Sequence, residues 1–251
     1  MRQIHPSSLQ EKFVASGVYT HYRDDEPSGL VEHWTIHELP DQSQLVRVDW
    51  DGRDDEVHGD TMLLEALYSA GLPGEKLERI EVRAFGAVSP PYKDVNVDTV
   101  KATYTFFGDH LQMIRILDNQ PSLIDELEWS SEWVVRAAGT HLLMGFAIAQ
   151  YALQPDKKVA TFFYEPHYKD NTAFEGYFCE EIVRILGEES VEIAGKIYPA
   201  RKVEWLTPET LKPESLVWLD EHNILLRHKS LWVDGEAILT QYARRPELHK
   251  S

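Results

Sequence analysis

The chain has 251 residues, 43% of them hydrophobic and 27% charged, and its 25 basic and 42 acidic side chains give a net charge of −17. Those fractions match folded globular proteins and speak against disorder. A field this negative repels phosphate backbones and anionic headgroups, and no Lys/Arg-rich cluster offsets it locally, so nucleic acid is excluded as an expected partner.

A folded chain of this length buries roughly 70–75% of the surface its unfolded form exposes, so a large core is available. Cys179 is the only cysteine, which rules out an intrachain disulfide framework. The opening MRQIHPSSLQEKF has no leader-like apolar run. The longest apolar stretch, His141 to Leu153, falls short of the roughly 18 residues of a membrane span. The expectation is a cytoplasmic protein with no membrane span.

In chain order, strand signals dominate. Gly17 to Tyr22 opens the series, Leu30 to His37 follows, Pro40-Asp41 turns the chain, and Leu45 to Trp50 returns, closed by Asp51-Gly52. Between Asp60 and Gly74, Met62, Leu63, Ala66 and Leu67 have helical spacing with Gly71 as a stop, though a strand fits nearly as well. Leu77 to Phe85 reads as a strand. Val100 to Phe107 alternates apolar and polar residues, and Gly108-Asp109 turns it into His110 to Leu117, a hairpin.

The strongest helical signal runs from Ser130 to Leu153, with Ser130 or Ser131 as N-cap and with Gly139 and Gly145 weakening it. Strands resume at Val159 to Tyr164 and Tyr177 to Leu186, and Ala194-Gly195 makes a tight reversal between two more. Three closing strands, Ser215 to Leu219, Ile224 to Trp232 and Glu236 to Ala243, use Asp234-Gly235 as a type I′ turn. About a dozen strands joined by short polar turns predict a mainly β protein, an antiparallel meander with one central helix. The expected organisation is one β-rich domain over 1–251, with 1–130 and 131–251 as its alternative halves. The tetrapeptide Arg-Asp-Asp-Glu occurs at Arg23 and again at Arg53, which is too short to establish a duplication.

His33 and His37 lie four residues apart. On a strand they share a face with Val31 and Thr35, while Leu30, Glu32, Trp34 and Ile36 point the other way. Four residues of strand put the imidazoles about 13 Å apart, too far for one zinc ion to bridge. No metal site is expected there. His58 beside Asp60, and His167 after Glu165, read as solvated turns. The sequence has no Gly-x-Ser-x-Gly elbow and no phosphate-binding glycine loop, and Cys179 sits in the apolar run GYFCEEIV, where an inert thiol is the common outcome. No catalytic residue and no cofactor are expected.

Aromatic residues are the more informative feature. Trp34, Trp50, Tyr104, Phe106, Trp205, Trp218 and Trp232 fall on predicted strands, where a curved sheet can gather several on one face. Arg115 interrupts the apolar series Leu111, Met113, Leu117 and must be paired if buried, or else fixes the polar end of a ligand. The candidate ligand-binding set is thus Trp34, Trp50, Tyr104, Phe106, Arg115, Trp218 and Trp232. Ordinary core packing is the competing account.

The segments VEIAGKIYPARKVEWL and LVWLDEHNILLRHKSLWVDGEAILTQYARR resemble the closing strands of half-barrel proteins related to periplasmic lipoprotein carriers. EHWTI and LVRVDWDGR are similar in layout to bacterial glycolipid-binding proteins. The resemblance spans about half the chain and implies a strongly curved antiparallel sheet, wrapped partly around a helix or loop, whose apolar concave face accepts acyl chains. No binding residue of those families transfers position by position. The combined expectation is non-catalytic binding of an apolar or amphipathic, lipid- or glycolipid-like small molecule. One alternative is a hydrolase using His33 or His37 with a nearby acid; another is a self-associating protein with a filled core.

Overall fold

Alternating side chains set the main frame. A computed structural model describes residues 1–56, 59–69, 76–86, 98–137, 140–164, 173–232 and 235–246. Among them fifteen strands form one sheet: β1 (Lys12–Arg23), β2 (Glu26–Glu38), β3 (Gln44–Asp51), β4 (Thr61–Tyr68), β5 (Leu77–Phe85), β6 (Thr99–Phe106), β7 (His110–Leu117) and β8 (Leu123–Glu128) in the first half. The second half supplies β9 (Val134–Ala137), β10 (Val159–Tyr164), β11 (Gly176–Ile193), β12 (Lys196–Leu206), β13 (Pro213–Leu219), β14 (Leu225–Ser230) and β15 (Glu236–Arg244). One helix, α1 (His141–Tyr151), lies between β9 and β10.

Neighbouring strands pair antiparallel in sequence order, with two departures. The first and last strands, β1 and β15, pair with each other in mid-sheet, and β9 pairs with β10 in parallel because α1 forms the crossover between them. The spatial order therefore runs from β8 at one edge through β1 and β15 to β9 at the other. Those two edge strands are consecutive in the chain, so the sheet must curl back on itself. Tyr104 of β6 stacks on Tyr164 of β10 with ring centroids 4.6 Å apart, and its hydroxyl donates to the Phe174 carbonyl at 2.6 Å. The sheet is strongly curved and left unclosed: at the seam, side chains do the joining that backbone hydrogen bonds do elsewhere.

The predicted strands at Leu77–Phe85 and Val159–Tyr164 fall on β5 and β10. Ala194 and Gly195 have φ of 50° and 79°, the left-handed pair that a tight reversal between β11 and β12 needs. Two expectations are corrected. The segment around Met62–Leu67 is strand β4, since pairing with β3 and β5 buries both of its faces almost entirely. The helix expected from Ser130 begins only at His141, with Thr140 as N-cap, because the β-branched pair Val134-Val135 joins the sheet as β9. Gly71, Gly139 and Asp234 lie outside the described residues.

α1 is apolar on every side, and eight of its residues are buried, as befits a helix enclosed in the concave face. Gly145 has a packing reason. A Cβ there would meet the Asn223 carbonyl oxygen and the Leu225 nitrogen at 3.0 Å, so the helix passes hard against the backbone leading into β14. On the sheet, Trp34 lies across Gly17 so closely that a Cβ on the glycine would be 2.4 Å from the indole ring.

The N-terminal arm, residues 1–11, crosses the convex face. Arg47 and Asp49 point outward from β3, and Glu65 does so from β4, between the inward-facing Val46, Val48, Leu64 and Ala66. Arg2 reaches Asp49 at 2.6 Å and His5 reaches Glu65 at 2.8 Å. Arg47 donates to Glu11 at 2.6 Å and to Glu65 at 3.1 Å. The hydrogen bond from Arg47, reinforced by that from His37, holds the Glu11 carboxyl down to about 2. A carboxylate depressed in the fold contributes stability above its unfolded value near 4.5 and loses it as pH falls from there towards 2. After solvent screening, roughly 1–2 kcal/mol is expected to disappear over that window. Urea unfolding at pH 5.5 and pH 3 should show the loss in the wild type and a smaller one in Glu11→Gln.

Candidate functional site

Among the described residues, two cavities open on the concave side, one towards each end of α1. The larger, about 550 Å3, lies between α1, β9 and the ends of β5 and β6. Its apolar wall comes from Tyr68, Phe106, Trp129, Trp133 and Phe146; Lys76, Glu132 and Gln150 add polar groups. The geometry follows from the seam. Trp129 and Trp133 occupy the short link between the two edge strands, with ring centroids 5.7 Å apart. Trp129 touches Phe106 at 4.9 Å and Phe162 at 6.3 Å, and Trp133 touches Phe178 at 4.6 Å. Phe146 enters from α1 edge-to-face with Tyr68, the ring centroids 5.9 Å apart. The volume lies within the range of small-molecule sites, which are mostly apolar with a few polar groups to fix orientation.

The smaller cavity, about 430 Å3, borders a buried histidine and carboxylate cluster at the N-terminal end of α1. The strand register assembles it. His21 on β1, Ala237 on β15 and His228 on β14 stand in one row across the sheet, while Glu32 on β2 faces Tyr19 on β1, one step away. His141, the first residue of α1, comes down over them. Glu32 is fully buried and accepts the His141 backbone N–H at 2.7 Å and the Leu142 N–H at 3.2 Å. It thus serves two free donors of the first helical turn, a task that the Thr140 side chain does not perform. The Glu32 carboxylate lies 3.3 Å from His141 Nδ1, and His141 Nε2 lies 3.3 Å from His228 Nδ1. Burial pushes the Glu32 carboxyl up to about 7, against the pull of the two backbone donors. Burial likewise pushes His141 down to about 4 and His228 down to about 3, so both imidazoles are neutral at physiological pH.

The residues expected from the sequence scatter over this frame. Phe106 lines the larger cavity. Trp34, Trp50 and Tyr104 face inward and are buried: Trp34 over Gly17, Trp50 between Glu32 and Met62, and Tyr104 at the seam. Arg115 is buried, bonded to the Asp125 carboxylate at 2.9 Å and to the Ala173 carbonyl at 3.1 Å. Trp218 lies on the face opposite His228, its indole N–H on Glu189, with Lys202 and Arg227 against its ring. Trp232 is largely exposed beyond the end of β14. The structure therefore brings only Phe106 of this set to the larger cavity.

His33 and His37 point away from the concave side, as strand alternation requires. His37 does have an acid in reach, Glu11 at 2.7 Å, but the pair belongs to the Arg47 network under the N-terminal arm. His58, Glu165 and His167 lie outside the described residues. Cys179 is half-buried on β11, and burial pushes its thiol up to about 11, which keeps it protonated and unreactive. Sequence reasoning missed Trp129, Trp133, Tyr68 and Phe146 at the larger cavity. It also missed the whole buried cluster, whose one visible signal was Glu32 on an otherwise apolar strand face.

No known protein family matches the chain, and no curated protein matches its sequence. Among solved structures, it is similar in fold to a beta-barrel-like protein of a domain of unknown function, DUF1849, from Brucella abortus. The match covers 95% of this chain and 100% of that one at 8% identity, with a TM-score of 0.51. A DUF1329 family protein from Desulfovibrio piger covers 96% of this chain and 88% of its own length at 12% identity, with a TM-score of 0.22. The first likeness supports the barrel-like architecture and the half-barrel layout implied by the sequence resemblance. No helix among the described residues is long and apolar enough to cross a membrane.

Proposed function

We propose that this protein binds an apolar or amphipathic small molecule, such as a single acyl chain with a polar head, in the cavity between α1 and the seam of the sheet. The observation that carries the reading is the coincidence of about 550 Å3 of space with four aromatic rings drawn from separate elements, Tyr68, Phe106, Trp129 and Phe146. Aromatics this close would otherwise close on one another and fill the gap, as Tyr104 and Tyr164 do a short distance away. The acyl part lies against Trp129, Trp133 and Phe146; the head group sits near Lys76 and Gln150, where the wall is polar. The chemistry is recognition without bond making.

Trp129 and Trp133 make the proposal measurable. A fatty acid brominated along its chain quenches indole fluorescence on contact, so its addition should dim the wild type saturably. The double variant Trp129→Phe/Trp133→Phe should lose most of that response while retaining its fold by circular dichroism. Saturable quenching that is unchanged in the double variant would place the ligand elsewhere, and no saturable quenching would remove the proposal.

A further inference from the structure

We propose that His21, Glu32 and His141 form a binding site for a divalent first-row transition metal ion of the zinc type, at the opposite end of α1 from the apolar cavity and independent of it. Each of the three offers one ligand atom, and these atoms all lie within 4.8 Å of one another. Two imidazoles and a carboxylate are a ligand set that zinc and its neighbours accept, with bonds of about 2.0–2.2 Å. Tetrahedral bonds of that length put neighbouring ligand atoms about 3.3–3.5 Å apart. The 3.3 Å between His141 Nδ1 and Glu32 Oε2 already meets that spacing, and the His21 ligand atom lies within 4.8 Å of those of the other two residues.

The surroundings complete the site. With Nδ1 on the metal, His141 Nε2 must carry the proton, and its neighbour at 3.3 Å is His228 Nδ1, which accepts it. A metal-bound histidine held through its second nitrogen is the usual supporting arrangement, since it fixes tautomer and ring orientation. Glu32 keeps both helix N–H bonds, because each carboxylate oxygen has a second lone pair. Capping a helix needs one polar side chain. Two imidazoles beside that carboxylate, with a third behind His141, are beyond what capping requires. The cavity of about 430 Å3 reaches His21, His141 and His228 and gives an ion a path to them, while the nearby Asp55 and Glu236 pair with Arg23 and Arg227. Three protein ligands leave a coordination position for water or a small ligand from the cavity, as in sites that act on a substrate.

The test uses tag-free, chelator-treated protein titrated with Co2+, whose visible absorption reports inner-shell ligands. One equivalent should bind with a d–d spectrum and be displaced by Zn2+. His21→Gln and His141→Gln should weaken binding at least tenfold, while His33→Gln, on the convex face, should bind as the wild type does. Circular dichroism checks folding; should His141→Gln disturb the helix, His21→Gln carries the comparison, because the helix N–H groups of His141 and Leu142 bond Glu32 and remain in that variant. Absence of a stoichiometric Co2+ spectrum in the wild type, or equal binding by folded His21→Gln, would overturn the proposal.

Discussion

Replacing Arg47 by alanine is expected to lower the stability of the protein by about 3–5 kcal/mol, the cost of breaking a buried ion pair by removing one partner. Arg47 is 1% exposed, and its guanidinium serves Glu11 through both terminal nitrogens and Glu65 through Nε. Without it, two carboxylates face each other under the N-terminal arm with only His5 and His37 to offset them. The arm should come away from the sheet, so limited proteolysis should cut within the first 11 residues of the variant much faster than in the wild type. Adding Glu11→Gln to Arg47→Ala should recover part of the loss, because residues of one network are not additive. Chemical denaturation of the two variants gives both numbers. A loss below about 1 kcal/mol would mean that the convex-face network is a solvated decoration.

Truncating Phe162 to alanine should cost a similar amount, about 3–5 kcal/mol, through the cavity left in a closely packed site. Phe162 is fully buried where the two ends of the sheet meet, with Tyr104, Trp129 and Phe178 around it and Gly176 directly beneath its ring. A Cβ on Gly176 would fall 1.9 Å from the ring, so the glycine is the cradle in which this phenylalanine lies. The seam has no hydrogen-bond ladder, since β8 and β9 are edges of the sheet order. Loss of the ring should therefore loosen the seam before the rest. Amide exchange in Phe162→Ala should accelerate first in β6 and β10, and later in β2 and β3. Uniform acceleration across the sheet would show that the seam is not a separate weak point.

How far the sequence discloses this fold depends on where the information lies. Alternation is local, so β2, β3, β5, β6 and β7 can be read directly from their residues. The turn at Ala194-Gly195 is local too. The identity of β9 is not: Val134 and Val135 suit the first turn of an apolar helix as well as a strand, and only β10 alongside decides between them. β4 shows the same ambiguity, since a strand buried on both faces loses its alternation.

The sites are less legible than the frame. The larger cavity is built from a link between edge strands, and its aromatic residues Trp129 and Trp133 carry no strand periodicity. The buried cluster joins Glu32 to His141 across 109 residues and His141 to His228 across 87. No spacing motif can span such distances. Attention falls on His33 and His37 because they are close in sequence, yet the sheet sends them to the convex side, and Glu32 between Leu30 and Trp34 is the residue that faces inward. A charged residue on an apolar strand face was the feature to follow, and the same reasoning did apply to Arg115, whose partners are Asp125 and Ala173.

The most direct measurement of the ligand-binding reading is native mass spectrometry of the protein with a single-chain fatty acid, beside the variant Gln150→Trp. Gln150 lies at the polar edge of the larger cavity, where an indole would occupy the space without disturbing the sheet. The expected result is a 1:1 complex for the wild type and none for the variant at the same concentrations, with both proteins folded. A wild type that remains ligand-free, or a variant that binds equally well, would contradict the assignment of this cavity.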